Sequence, residues 1–145
     1  MRRQAFTLVE LLIVVIILGI LAAIVVPQFS DATTDTNISS LRTNLSTIRG
    51  QLELYRLQHN NAYPTDATSF SDQMTKKTDL DGTVNTASGK YGPYLQTIPA
   101  NPINNSNAVT NSTADTTKGW YYDGATGTFK ANDGKTFNGV ATNTY

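Results

Sequence analysis

The sequence predicts an α+β fold: one long N-terminal helix, apolar in its first half and amphipathic in its second, packed on a small C-terminal antiparallel sheet. Three observations carry that reading. Between Leu11 and Val26 no side chain is polar. Between Ile38 and His59 a stripe recurs at Ile38, Leu41, Leu45, Ile48, Leu52, Tyr55 and His59, spaced 3, 4, 3, 4, 3, 4, which is the helical period. Nearer the chain end, residues 119–123 and 128–131 flank Gly124-Ala125-Thr126-Gly127, two β-rich runs around a glycine-bearing hairpin connection.

The first thirty residues dominate. At 1.5 Å per residue, a helix from Phe6 to Phe29 runs roughly 35 Å, enough to cross a bilayer core of about 30 Å. One carboxylate, Glu10, heads the apolar run, and the basic pair Arg2-Arg3 precedes it. A charged group near the bilayer centre costs roughly 2.5–3.5 kcal/mol, so Glu10 needs a partner or a function. A secretory signal peptide is one reading, but Glu10 interrupts its front and Val25-Val26-Pro27-Gln28-Phe29 stands where small residues should mark a cut. A plain transmembrane anchor is a second, and it leaves Glu10 unexplained.

The third reading accounts for all of it. Met1-Arg2-Arg3-Gln4-Ala5 followed by Phe6-Thr7-Leu8-Val9-Glu10 resembles the leader and mature N-terminus of the type IV pilin and type II secretion pseudopilin superfamily. The resemblance implies cleavage between Ala5 and Phe6 by a prepilin peptidase, followed by N-methylation of Phe6. It implies a filament in which neighbouring helices replace the lipid. A buried charge there must be paired, and the family's partner for Glu10 is the Phe6 amino terminus of an adjacent subunit. Gly19 and Pro27 stand where the family helix can loosen during assembly. One departure is Ala5, where the family prefers Gly.

Composition fits export. The chain has 145 residues, room for one anchor and one small domain. It carries 11 Lys+Arg against 11 Asp+Glu, and removal of Arg2 and Arg3 leaves 9 against 11, a net charge of −2. Nothing in that balance suggests a nucleic-acid binder. Cysteine is absent, so no disulfide closes the domain; in the family that tilts towards pseudopilins. Arg2 and Arg3 keep the N-terminal end cytoplasmic by the positive-inside rule, and the domain lies beyond the inner membrane. The expected organisation is a leader over 1–5, an assembly helix over 6–29 and a periplasmic domain over 30–145. Within that domain we expect an amphipathic helix over about 30–61, variable loops over 65–118 and an antiparallel sheet over about 118–140.

Pro64 disfavours helical geometry in the residue before it, so the helix should stop near 60–63. Arg49 and Glu53 form an i,i+4 pair on its flank, worth a few tenths of a kcal/mol. A coiled-coil seam would need longer heptads with charged flanks, so the stripe reads as a core face. His59 has no Cys or acidic neighbours in sequence and reads as a helix-end residue. Leu52 through Thr65 and the run Tyr91-Gly92-Pro93-Tyr94-Leu95 are similar to segments of the major pseudopilins. Bottom-up, Pro93 and Pro99 fix turns while Tyr94, Leu95 and Ile98 plug the core. Residues 69–89 read as a loop with one short helix around 70–77. Residues 104–117, rich in Asn, Ser and Thr, read as an exposed and mobile loop. Trp120, Tyr122 and Phe129 should lay an aromatic face on the helical stripe, with a third strand over 135–140.

For chemistry the sequence offers little. It has one His, no Cys, no Gly-x-Ser-x-Gly elbow and no phosphate-binding glycine loop, so no enzyme is expected. The resemblance raises calcium, which major pseudopilins commonly bind in a loop near the chain end. Calcium wants about six to eight oxygens, usually with several carboxylates, and after Phe129 the only acid is Asp133. No cofactor is therefore expected, calcium included. The function this implies is a structural subunit of a type II secretion pseudopilus that drives protein export. Its partners would be copies of itself, minor pseudopilins, the inner-membrane assembly platform and the prepilin peptidase and methyltransferase. A type IV pilin for adhesion, motility or DNA uptake is the alternative, and a membrane-tethered binding module that never polymerises is the second.

Overall fold

The computed structural model describes residues 7–137 and 139–145, and the side chains of these other than 26–32. Helix α1 spans Leu8–Gln58, and its assignment runs unbroken through Gly19 and Pro27. The chain divides into two compact units, Met1–Thr36 and Asn37–Tyr145.

In the first unit, Leu8–Val25 is an 18-residue apolar helical stretch, none of it buried. At 1.5 Å per residue it spans about 27 Å, long and apolar enough to cross a membrane.

The second unit is built on the stripe. Leu41, Leu45, Ile48, Leu52, Tyr55 and His59 are all at most 1% exposed, and Ile38 packs at their edge. Leu54 and Leu57, off the stripe, are 41% and 70% exposed. Burying an aliphatic or aromatic side chain fully contributes about 1.5–3 kcal/mol, so this face is what holds the helix to the rest.

The helix ends at Gln58, earlier than Pro64 alone would stop it. Asn60 and Asn61 adopt left-handed backbone, φ 53° and 63°, and the Asn61 N–H donates to the Arg56 carbonyl at 2.9 Å. This is the helix-terminating bond of a Schellman motif, which Asn tolerates better than other side-chain-bearing residues. The His59 ring is stacked on Tyr55 with centroids 3.8 Å apart. Its Nδ1 lies 2.8 Å from the Tyr55 carbonyl and its Nε2 lies 2.9 Å from the Thr78 hydroxyl. It closes the helix as a buried core residue.

Helix α2, Ala67–Thr75, begins before the expected 70–77, because Asp66 caps it. One Asp66 carboxylate oxygen accepts from the Thr68 and Ser69 amides, both at 2.8 Å. The helix buries Phe70, Gln73 and Met74.

Strands β2, Trp120–Asp123, and β3, Thr128–Ala131, form the antiparallel hairpin, with Trp120 opposite Ala131 and Tyr122 opposite Phe129. Trp120, Tyr122, Phe129 and Ala131 all face the core. Phe70 from α2 meets Tyr122 and Phe129 at 4.5 and 5.2 Å between ring centroids. Gly127 in the connection has φ +69°, and a Cβ there would fall 2.4 Å from the Tyr63 ring, so only glycine fits.

The rest of the sheet departs from expectation. The third strand is β1, Val109–Thr110, from the Asn-rich stretch, and it runs parallel to β2 with Val109 opposite Trp120. The sheet is therefore mixed, in the order β1-β2-β3. Residues 104–117 are also tied down by side-chain amides. Asn132 Nδ2 donates to the Ser112 and Asp115 carbonyls, and Asn104 Nδ2 to those of Thr116 and Lys118. The segment expected as a third strand instead forms a separate two-stranded ladder, β4 (Thr136–Phe137) with β5 (Val140–Ala141), closed by Gly139 at φ +78°. A short 3-10 helix, Thr142–Thr144, follows.

The flank of α1 is paired differently too. Glu53 is bridged to Arg56 at 2.9 Å, not to Arg49, and accepts a 2.7 Å bond from the Tyr63 hydroxyl. Arg49 donates to the Phe129 carbonyl from Nε and Nη2, at 3.0 and 2.9 Å, and to the Tyr145 carbonyl at 2.5 Å. Phe129 lies in β3, an edge strand of the sheet whose carbonyl the guanidinium can reach, and an exposed ion pair one turn away contributes little against it.

Candidate functional site

The apolar helix begins with a reciprocal cap. Thr7 stands at the N-cap of α1 and Glu10 three residues on. The Thr7 amide and hydroxyl donate to Glu10 Oε2 at 2.8 and 2.9 Å, and the Glu10 amide donates to the Thr7 hydroxyl at 3.3 Å. This is a capping box, in which side chains satisfy amides that the first helical turn leaves without partners. In an apolar setting those amides are expensive to leave unpaired. Thr7 is the residue that sequence reasoning passed over. Its signal was present: a Thr-x-x-Glu spacing directly ahead of an apolar run is the sequence mark of a capping box.

Both hydrogen bonds land on Oε2, and among the described residues Oε1 accepts none. The carboxylate is thus oriented by its own chain through Oε2. Ala5 and Phe6, the expected cleavage and methylation positions, lie outside the described residues. Gly19 is helical, and a Cβ built there would meet nothing within 4 Å; packing inside the chain does not demand a glycine. Pro27 is within α1, with its side chain outside the described set.

The second polar cluster lies at the other end of the chain. Asp133 is 5% exposed, Asn101 0% and Thr142 1%. Asp133 Oδ1 accepts from the Lys135 amide at 2.9 Å and the Thr142 hydroxyl at 2.5 Å, and Oδ2 accepts from Asn101 Nδ2 at 2.8 Å. Asn101 Nδ2 also donates to the Gly119 carbonyl at 2.9 Å, while its Oδ1 accepts from the Ile103 amide at 2.9 Å. Among the described residues, each group hydrogen-bonded to the carboxylate donates to it. Among the described residues no group of three or more His, Cys, Asp or Glu gathers as a metal site. A cleft of about 460 Å³ lies between α2 and β1 and is lined by residues such as Thr68, Ser71, Gln96 and Val109, with no acid, base or nucleophile pair among its lining residues.

The prokaryotic N-terminal methylation motif matches residues 1–26. Over 106 residues the chain is 34% identical to the type II secretion system core protein G of Pseudomonas aeruginosa, covering 72% of each chain. It is 32% identical to the protein of the same name from Vibrio cholerae, covering 72% of this chain and 69% of that one. A fimbrial protein of Pseudomonas aeruginosa is 38% identical over 84 residues, 55% of this chain and 54% of that one. No solved structure matches. Methylation motif, exposed apolar helix headed by Glu10, and similarity reaching well beyond that helix agree: the chain belongs to the core protein G family of type II secretion systems, the major pseudopilins.

Proposed function

We propose that this chain is a structural subunit of a secretion pseudopilus and polymerises through its N-terminal helix. The observation that carries this reading is Leu8–Val25: an apolar helical face with no partner among the described residues, capped at its head by Thr7 and Glu10. Before assembly the bilayer covers that face; afterwards neighbouring helices do. Prepilin peptidase cuts between Ala5 and Phe6 and Phe6 is methylated. Glu10 Oε1 then accepts from the Phe6 amino group of an adjacent subunit, which neutralises the buried carboxylate and sets the axial register. Gly19 and Pro27 supply helix compliance. The N-terminus is cytoplasmic and the domain periplasmic, and minor pseudopilins and an inner-membrane platform are its partners. The chain acts as a peptidase substrate, not as an enzyme, and its relatives carry the name of core proteins of a secretion system.

Intact mass and N-terminal sequence of the membrane-extracted protein test this. A start at methylated Phe6 is expected. A chain still beginning at Met1 would reduce it to a tether, and cleavage after Val26 would make the apolar stretch a signal peptide. The pilus reading draws on the similarity to a fimbrial protein. Electron microscopy of sheared cells separates the two, since long surface fibres at native expression belong to a pilus.

A further inference from the structure

We propose that the C-terminal segment is held by a metal-free lock, in which three protein donors satisfy the Asp133 carboxylate and leave no seat for the calcium ion that the family resemblance implies. A calcium site needs oxygens whose lone pairs converge on one point. Around Asp133 the arrangement is inverted. The acceptor is at the centre and the Asn101 amide, the Lys135 amide and the Thr142 hydroxyl point their hydrogens at it. A cation between Asp133 and Asn101 would face an NH2 group, and turning that amide over would break its bonds to both the Gly119 carbonyl and the Ile103 amide. The residues present do not fit calcium.

The lock joins four segments. Asn101 brings the loop after Pro99, and Gly119 brings the start of β2. Asp133 follows β3, and Thr142 brings the chain end. The neighbouring Asn132 adds the 112–115 stretch through its two bonds. A carboxylate nearly excluded from water tolerates burial only when its oxygens are satisfied, and here charge-assisted bonds satisfy both. The domain is therefore complete without a divalent ion, and its stability does not follow calcium supply outside the inner membrane. This holds whether or not the chain polymerises, so its test reads folding alone.

The test is thermal unfolding of the full-length chain in detergent, followed by fluorescence of Trp120, its single tryptophan. The indole donates to the Pro99 carbonyl at 2.8 Å, close to the lock. With millimolar calcium or with a chelator, wild type should melt at the same temperature. Asp133→Asn places an amide where an acceptor is required, and should melt roughly 10 °C lower in both buffers. Thr142→Val keeps the shape and removes one donor, and should melt a few degrees lower in both. A wild-type melting temperature that rises by several degrees with calcium, with the rise lost in Asp133→Asn, overturns the proposal. So does a Thr142→Val chain as stable as wild type.

Discussion

Glu10 has two candidate jobs that one substitution separates. Glu10→Gln keeps a side-chain carbonyl that can accept from Thr7, and Gln is as acceptable as Glu at the third position of a capping box. The cap seen in the single chain should therefore survive, at a loss of well under about 1 kcal/mol. The charge does not survive. If Glu10 pairs with the Phe6 amino group of a neighbour in a dry bundle, removing one partner of a buried ion pair costs about 3–5 kcal/mol per contact. At about 1.4 kcal/mol per tenfold, that is two to three and a half orders of magnitude in the assembly constant. Thr7→Val makes the opposite change: the charge stays and the hydroxyl of the cap goes, a loss of about 1 kcal/mol. The assay is the fraction of subunits in sheared or cross-linked filaments, beside the mass of the processed monomer. Glu10→Gln should be processed at Phe6 and fail to assemble, while Thr7→Val should assemble at reduced yield. A Glu10→Gln chain that assembles like wild type would refute the ion pair and leave Glu10 as a cap.

Other consequences can be checked on the monomer. Leu45→Ala empties a site 1% exposed and should cost about 2–5 kcal/mol, lowering the melting temperature by roughly 10–20 °C. Leu57→Ala, at a side chain 70% exposed, should stay within about 0.5 kcal/mol, and equal losses at both would mean the stripe is misassigned. Gly127→Ala meets the Tyr63 ring at positive φ and should cost about 1–3 kcal/mol by chemical denaturation; a neutral result would mean the connection has another backbone. Burial pushes the Tyr55 and Tyr94 hydroxyls up to about 12, above the unfolded value near 10. The folded state then holds its protons more tightly, so stability is intact below about pH 10 and lost as pH rises towards 12. Tyrosinate absorbance should show one cooperative step there, and independent titration of these rings in the folded chain would contradict the burial. At the acid end, the Thr68 and Thr126 hydroxyls hold Asp66 and Asp123 below the ordinary carboxylate value. Their contribution is present above about pH 4 and fades as pH falls through the depressed folded values; melting temperatures that rise on acidification would contradict it.

What the sequence determined by itself is what repeats along the chain. The 3, 4 spacing from Ile38 to His59 and the alternation of Trp120 and Tyr122 each state a period, and burial followed each one, while the apolar run to Val25 states a helix whose side chains stay exposed in the single chain. A period is a local property, because it says which side chains share a face before anything says what covers that face. The capping box was local as well, four residues ahead of the apolar run. What only the tertiary structure decided is where polar groups find partners. Val109 joins the sheet from a stretch with almost nothing to bury, because Asn132 and Asn104 hold its neighbourhood in place. Arg49 leaves Glu53 for a carbonyl 80 residues away. Asp133 turns the chain out of the main sheet by gathering Asn101 and Thr142, 32 and 9 residues distant. A single hydrogen bond is worth about 1 kcal/mol net and leaves no period in the sequence. Its partner is chosen by proximity, and proximity exists only once the apolar faces have closed.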